Sequence, residues 1–174
     1  MMELHRRVLE HEPATRPASP PALESLRIVR RPVWPPTLLG NRRLPYDVYW
    51  CAMASCRCTA YEVFSGGDHV FSAYAVGMSF KFPFMVSGDV QIGDCFTAPA
   101  YRGLGIYPAM VETMFKEQVV RPGAAGYLLI DPANEASRRG ASKASFTLVG
   151  HVRVVRRLGL LKVYVPETTA DVQG

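Results

Sequence analysis

The sequence predicts a mixed α/β or α+β sheet covered by helices, on three observations. Of its 174 residues, 48% are hydrophobic and 20% charged, the balance of a globular domain and not of a disordered or fibrous chain. From Tyr46 onward the chain runs in short β-rich segments broken by turn signals. Among the later segments lie two stretches with helical character, giving the order β, β, β, α, β, α, β, β. A chain of this length buries roughly 70% of the surface it would expose unfolded, enough for one core without disulfides.

Residues 1–21 read as a disordered tail and 22–46 as a Pro/Arg-rich extension. Eight of the fourteen prolines precede Asp47, and the run Pro13 to Pro21 removes amide donors and keeps its neighbours out of the helical region. A short strand is expected around Leu26 to Val29, after which the chain wraps the surface through Trp34. The domain proper is assigned to 47–166, with 167–174 a C-terminal tail. Val48 to Met53 and His69 to Val76 read as strands, the second entered through the turn signal Gly66-Gly67-Asp68. Asp89 to Thr97 is a third strand that stops at Ala98-Pro99. Gly93 inside it signals a bulge or a close approach to the backbone. Ile106, Met110, Val111, Met114 and Phe115 recur at helical spacing between Leu104 and Val120, and Arg121-Pro122-Gly123 ends the run. Tyr127 to Ile130 is a short buried strand, Ala133 to Ala144 a second helix. Phe146 to Val155 and Leu160 to Val165 are two last strands joined around Arg157 and Gly159.

Several classes are excluded or disfavoured. The longest charge-free apolar stretch, Val70 to Phe80, falls short of the about 20 residues a bilayer span needs. The opening MMELHRRVLEHE has no apolar signal region, and with four cysteines not needed as staples the reading is a reducing cytoplasm. Cys51, Cys56, Cys58 and Cys95 lack paired Cys-x-x-Cys spacing and have no nearby histidine, so no metal is expected. The net charge of +5 favours an anionic ligand or a solvated surface. Glu3, Glu10, Glu12 and Glu24 in the Arg-rich N-terminal region argue against nucleic acid.

The informative stretch is Thr97 to Ala109. Gly103 and Gly105 let the backbone turn tightly, and Pro108 fits the first turn of a helix, where its missing amide costs nothing. Free amides and a positive dipole end then point outward, which suits a phosphate or pyrophosphate. Arg102 adds charge. The stretch has no Gly-Lys-Ser/Thr ending, and Pro108 spoils a Gly-x-Gly-x-x-Gly reading, so a P-loop or dinucleotide site is not supported.

Thr97-Ala98-Pro99 followed by Arg102-Gly103-Leu104-Gly105-Ile106 and an amphipathic helix resembles motif A of the GNAT superfamily of acyl-CoA-dependent N-acyltransferases, in which Arg/Gln-x-x-Gly-x-Gly/Ala cradles the CoA pyrophosphate. The segment 134–146 is similar to the family's Asn-x-x-Ala/Ser…Lys-x-Gly-Phe, with Asn134, Ser137, Lys143 and Phe146 in register. The resemblance implies an α+β, GNAT-like central sheet, mixed and mostly antiparallel, flanked by helices. It implies acetyl-CoA, or another acyl-CoA, as co-substrate and a small-molecule amine acceptor such as an aminosugar nucleotide, with protein amines also open. The implied cofactor-binding residues are Phe96, Thr97, Arg102, Gly103, Leu104, Gly105, Ile106, Asn134 and Ser137. A homodimer stays open.

This chain departs from the pattern at four positions. Tyr107 stands where many members carry Gly or Ala, Ser145 where Gly is usual, and Ala141 where many carry the Tyr that protonates the departing thiolate. Gln91 stands where some protein-acetylating members carry a glutamate base. The catalytic candidates are therefore Asp94 as base and Tyr107 as acid, against the plainer readings of a solvated aspartate and a ring packed on a helix. For Asn134 the plainer role is helix capping. His69 and His151 read as structural. Arg153, Arg156 and Arg157 form a basic patch or a solvated turn. Phe71, Tyr74, Phe80, Phe82 and Phe84 read as core first and as a wall of an acceptor cleft second. The rival to an enzyme is a catalytically inert GNAT-like module that holds CoA or a protein partner.

Overall fold

The computed structural model describes residues 1–10, 25–33, 58–77, 82–157 and 161–166. The expected strand at Val48 to Met53, Trp34, Cys51, Cys56, Phe80, the 158–160 turn and the 167–174 tail lie outside these residues. So does most of the expected N-terminal tail.

The elements are β1 (Met2–Val8), β2 (Arg27–Val33), β3 (Cys58–Ser65), β4 (Asp68–Gly77), β5 (Val90–Thr97), a 3-10 turn (Pro99–Tyr101), α1 (Ile106–Gln118), β6 (Ala125–Ile130), α2 (Glu135–Lys143), β7 (Thr147–Arg157) and β8 (Leu161–Pro166). The strands form a single sheet in the order β2-β3-β4-β5-β6-β1-β7-β8. Every pairing is antiparallel except β5 with β6. A mixed α+β sheet is thus observed.

Both helices cover one face. Met110, Val111, Met114 and Phe115 of α1 and Ala141 of α2 pack there against Tyr61, Phe71, Ala73, Ile92 and Leu128. Each large apolar side chain so buried contributes about 1.5–3 kcal/mol relative to exposure. On the second face Phe82 and Met85 cover Ala60, Tyr74, Val76 and Tyr127. β4 lies between these layers, and Val70 to Val76 are all buried. β2 is an edge strand, which is why Pro32 is tolerated inside it.

Two differences from the sequence reading have physical reasons. No element was expected over 58–65, yet β3 pairs with β4 across the Gly66-Gly67 turn. Its two faces feed two separate cores, Tyr61 and Val63 one and Cys58 and Ala60 the other, so it lacks the polar face that marks a half-buried strand. The expectation of a tail over residues 1–21 fails at its start: β1 is inserted between β6 and β7. The boundary at 47 does not delimit the fold either, because β1 and β2 belong to the same sheet. β1 escapes a hydrophobicity reading because its helix-side row is Glu3, His5 and Arg7. These are neutralised by partners from elsewhere. His5 Nε2 lies 3.0 Å from Glu3 Oε2, Arg138 Nε lies 3.1 Å from the same oxygen, and Arg7 donates to the Ala144 carbonyl at 2.9 Å with its guanidinium over the Phe115 ring.

Candidate functional site

β5 and β6 pair at three positions only, Val90 with Gly126, Gln91 with Tyr127 and Ile92 with Leu128. Beyond Ile92 no pair joins them, and β5 bends. Tyr74 stands opposite Gly93 and Ser72 opposite Phe96, so Asp94 and Cys95 together face one residue of β4. That is a bulge, as Gly93 foretold, and its extra residue is Asp94, held at φ +49°. The bulge reverses the alternation of β5. Cys95 takes the helix-side position that strict alternation from Ile92 would give Asp94.

The parted strands, the loop before α1 and one face of α2 enclose a cleft of about 460 Å³. β5 contributes Cys95, Phe96 and Thr97, the loop and first turn Arg102, Gly103, Gly105, Ile106 and Tyr107, and α2 with its cap Asn134, Ser137, Gly140 and Lys143. Gly105 is the N-cap of α1 in the left-handed region at φ +78°, and no side chain caps the helix. Because Pro108 has no amide and Ala109 is the first to bond back, to the Gly105 carbonyl at 3.2 Å, the amides before it are free of the helix ladder. Arg102 Nε donates to the Thr97 carbonyl at 3.1 Å, which ties the loop to the end of β5 and leaves the guanidinium exposed beside it.

Tyr107 lies across the cleft on α2. A Cβ on Gly140 would collide with its ring. Burial raises the Tyr107 phenol above its ordinary value, the Cys95 thiol raises it further, and a hydrogen bond with Ser137 works the other way. Burial pushes the Cys95 thiol up to about 12, with the Asp94 charge a second cause. Both groups are therefore protonated and neutral near pH 7.

No family model matches the sequence, and no curated protein matches it. Solved structures do resemble it. An acetyltransferase of the GNAT family from Colwellia psychrerythraea superposes with a TM-score of 0.51 at 12% identity, over 86% of this chain and 54% of that one. The fold is the GNAT fold. A GCN5-related N-acetyltransferase from Kribbella flavida gives 0.43 at 14% identity, over 84% of this chain and 54% of that one. AAC(6')-Ib, in complex with Parmomycin and AcetylCoA, gives 0.47 at 15% identity over 84% and 96%. The chain spans about half the length of the first two, 54% in each case.

Against this GNAT frame, the cleft gathers Phe96, Thr97, Arg102, Gly103, Gly105, Ile106, Asn134 and Ser137, and Tyr107 with them. Leu104 is 61% exposed and is not part of the lining. Asp94 is exposed and does not line the cleft. It acts electrostatically on Tyr164, whose ring stacks on Phe82 of the second face. Asn134 performs its plainer role, Oδ1 accepting the Ser137 amide at 3.1 Å. Ala141 is fully buried in the core beneath α2. Cys95 and Gly140 were missed. Only the bulge brings Cys95 in, and Gly140 is legible only once Tyr107 is known to lie on it. Among the described residues no cluster could hold a metal ion, and no helix is long and apolar enough to cross a membrane.

Proposed function

We propose that the chain is an N-acyltransferase that moves an acyl group, most simply acetyl, from acyl-CoA to an amine. The observation that carries this reading is the cleft: an uncapped helix N-terminus beside Arg102 opens onto two parted parallel strands. The free amides from Gly103 to Ile106 and the dipole of α1 suit the pyrophosphate. The parted edges of β5 and β6 offer unpaired backbone groups to the amides of a pantetheine arm. Asn134 keeps its side-chain amide for that arm while its oxygen caps α2.

The amine attacks the thioester carbonyl, the carbon–sulfur bond breaks, and the thiolate leaves. A thiol pKa near 8.5 makes that departure easy near neutral pH, so a weak donor suffices. Tyr107, held protonated in the cleft, is that donor. Asp94, turned to the second face by the bulge, takes the proton from the amine directly or through water. The buried Ala141, where a phenol is absent, favours the rival of an inert CoA-holding module. A thermal-shift titration with acetyl-CoA, followed by thiol release with a panel of primary amines, decides. Stabilisation with turnover supports the enzyme, stabilisation without turnover the module, and no stabilisation at millimolar acetyl-CoA removes both.

A further inference from the structure

A second cavity, of about 540 Å³, opens at the other end of the sheet from the cleft. Arg7 and Val8 of its lining pair with Gly126 and Ala125, at the end of β6 where Val90 of β5 still pairs, whereas the two strands part beyond Ile92. α2 joins the two spaces. Asn134, Ser137 and Gly140 line the first, and Ser145, just past the C-cap Ala144, lines the second.

The apolar part of the second lining is Val8, Phe115 and Val149, of which Val8 and Val149 are exposed. Val149 is the extra residue of a bulge, since Leu4 pairs with Gly150 and His5 with Leu148. Arg7 gives the space its charge. Its guanidinium lies over the Phe115 ring, 4.4 Å from the centroid, and donates one of its five N–H groups to the Ala144 carbonyl at 2.9 Å. Ring and carbonyl together fix the plane of the fork. No carboxylate meets its other donors: the ion pairs among the described residues join other groups, and Glu10, which lines the same space, makes none with it. Arg6 also belongs to the lining, with its guanidinium over Tyr127 on the other face of the sheet. Two arginines against one glutamate leave the lining net positive.

A guanidinium held flat with donors to spare suits a planar oxyanion taken in two parallel bonds, and apolar walls beside it suit an apolar body. The volume lies within the roughly 300–1,000 Å³ of small-molecule sites. We propose that this cavity is a second ligand site, which takes a carboxylate carried on a short apolar or aromatic group, with Arg7 as its counter-charge. Ser145 fits that role. It is held at φ +62°, a conformation glycine takes without strain, and its exposed side chain puts a hydroxyl donor on the lining. The site is independent of the acyl-transfer reading, because it shares no lining residue with the first cleft and makes or breaks no covalent bond.

Phenylacetate is the probe, and 2-phenylethanol is its uncharged match. Each is titrated at pH 7 into the whole chain labelled with 15N. Phenylacetate should shift the backbone amides of Ser145, Thr147 and Val149 saturably and leave those of Gly103 and Gly105 in place. It should bind at least about tenfold more tightly than 2-phenylethanol, the scale of one charge-assisted hydrogen bond. Arg7→Met should lower its affinity by about tenfold. Val149→Trp, at an exposed bulge residue, fills the space without touching the guanidinium and should weaken binding comparably, which keeps the test decisive if Arg7→Met loosens α2. Equal affinity for the two probes would make the cavity an apolar groove without anion preference and overturn the proposal. Shifts confined to Gly103 and Gly105 would overturn it by sending the carboxylate to the α1 N-terminus. So would the absence of any saturable shift, or full phenylacetate affinity in both variants.

Discussion

Two helix N-termini border the same cleft and are finished in opposite ways. α2 is closed by its own chain: Asn134 caps it, and Glu135 sits in its first turn. α1 has no side-chain cap and no acidic residue in its first turn, and its N-cap is a glycine in the left-handed region. A cap contributes about 1 kcal/mol and a first-turn carboxylate about 0.3–1 kcal/mol. α1 forgoes both and has Arg102 beside it instead. The end of α2 is scaffold, and under the proposed function the end of α1 receives the pyrophosphate.

Giving α1 what it lacks breaks this comparison most severely. Gly105→Asp places a carboxylate among the free amides, where it competes with a bound pyrophosphate for every donor. We expect acetyl-CoA affinity to fall by about 100-fold, near 2.7 kcal/mol, the scale of one or two charge-assisted hydrogen bonds. Arg102→Glu, which reverses one exposed charge, should cost about tenfold. Thermal-shift titration reads both, and an unchanged response in both variants would place the pyrophosphate elsewhere.

Gly140→Ala attacks the point where the two helix ends meet. The added methyl meets the Tyr107 ring, and such overpacking costs about 1–3 kcal/mol. The melting temperature and kcat should fall together, and a substitution with neither effect would show that the ring moves aside freely. Asn134 sharpens the comparison from the other end. Asn134→Ala should lose about 1 kcal/mol of stability. Asn134→Asp retains the capping oxygen and should keep the stability while weakening acetyl-CoA binding several-fold, which separates the cap from the arm contact. Equal acetyl-CoA affinity in wild type and Asn134→Asp would leave the cap as its whole role.

Legibility in the sequence followed locality. The loop from Thr97 to Pro108 and the cap at Asn134 were readable because glycine, proline and asparagine act on the backbone next to them. β4, β5, α1 and α2 were readable because each presents a period or a turn signal within its own length. β1 was not, because the burial of Glu3 and His5 depends on Arg138, more than a hundred residues away. β3 was not, because strands buried on both faces carry no alternation. Asp94 was placed on the right strand, but its absence from the cleft lining was not legible, since one bulge residue inverts everything after it. Gly93 announced that bulge without giving its register.

The smallest effect concerns protons where the two ends meet. Burial raises Cys95 from near 9 to about 12 and raises Tyr107 beyond its ordinary value. For an acid whose folded pKa lies above its unfolded one, the folded state holds its proton longer. Its stabilisation is complete below the unfolded pKa and is lost as pH rises toward the folded one. Cys95 should therefore make no difference below pH 8, less than about 1 kcal/mol at pH 9.5, and a slope of at most about 1.4 kcal/mol per pH unit above that. Urea unfolding of wild type and Cys95→Ala should run parallel up to pH 8, with the variant declining less steeply between pH 9 and 10.5. The same burial bears on turnover. A phenol held protonated past pH 10 gives no alkaline limb below it, so Tyr107→Phe should lower kcat without moving any pH–rate inflection between 6 and 10. An alkaline inflection near 9 that disappears in Tyr107→Phe would mean that the ring leaves α2 and titrates in solvent during catalysis.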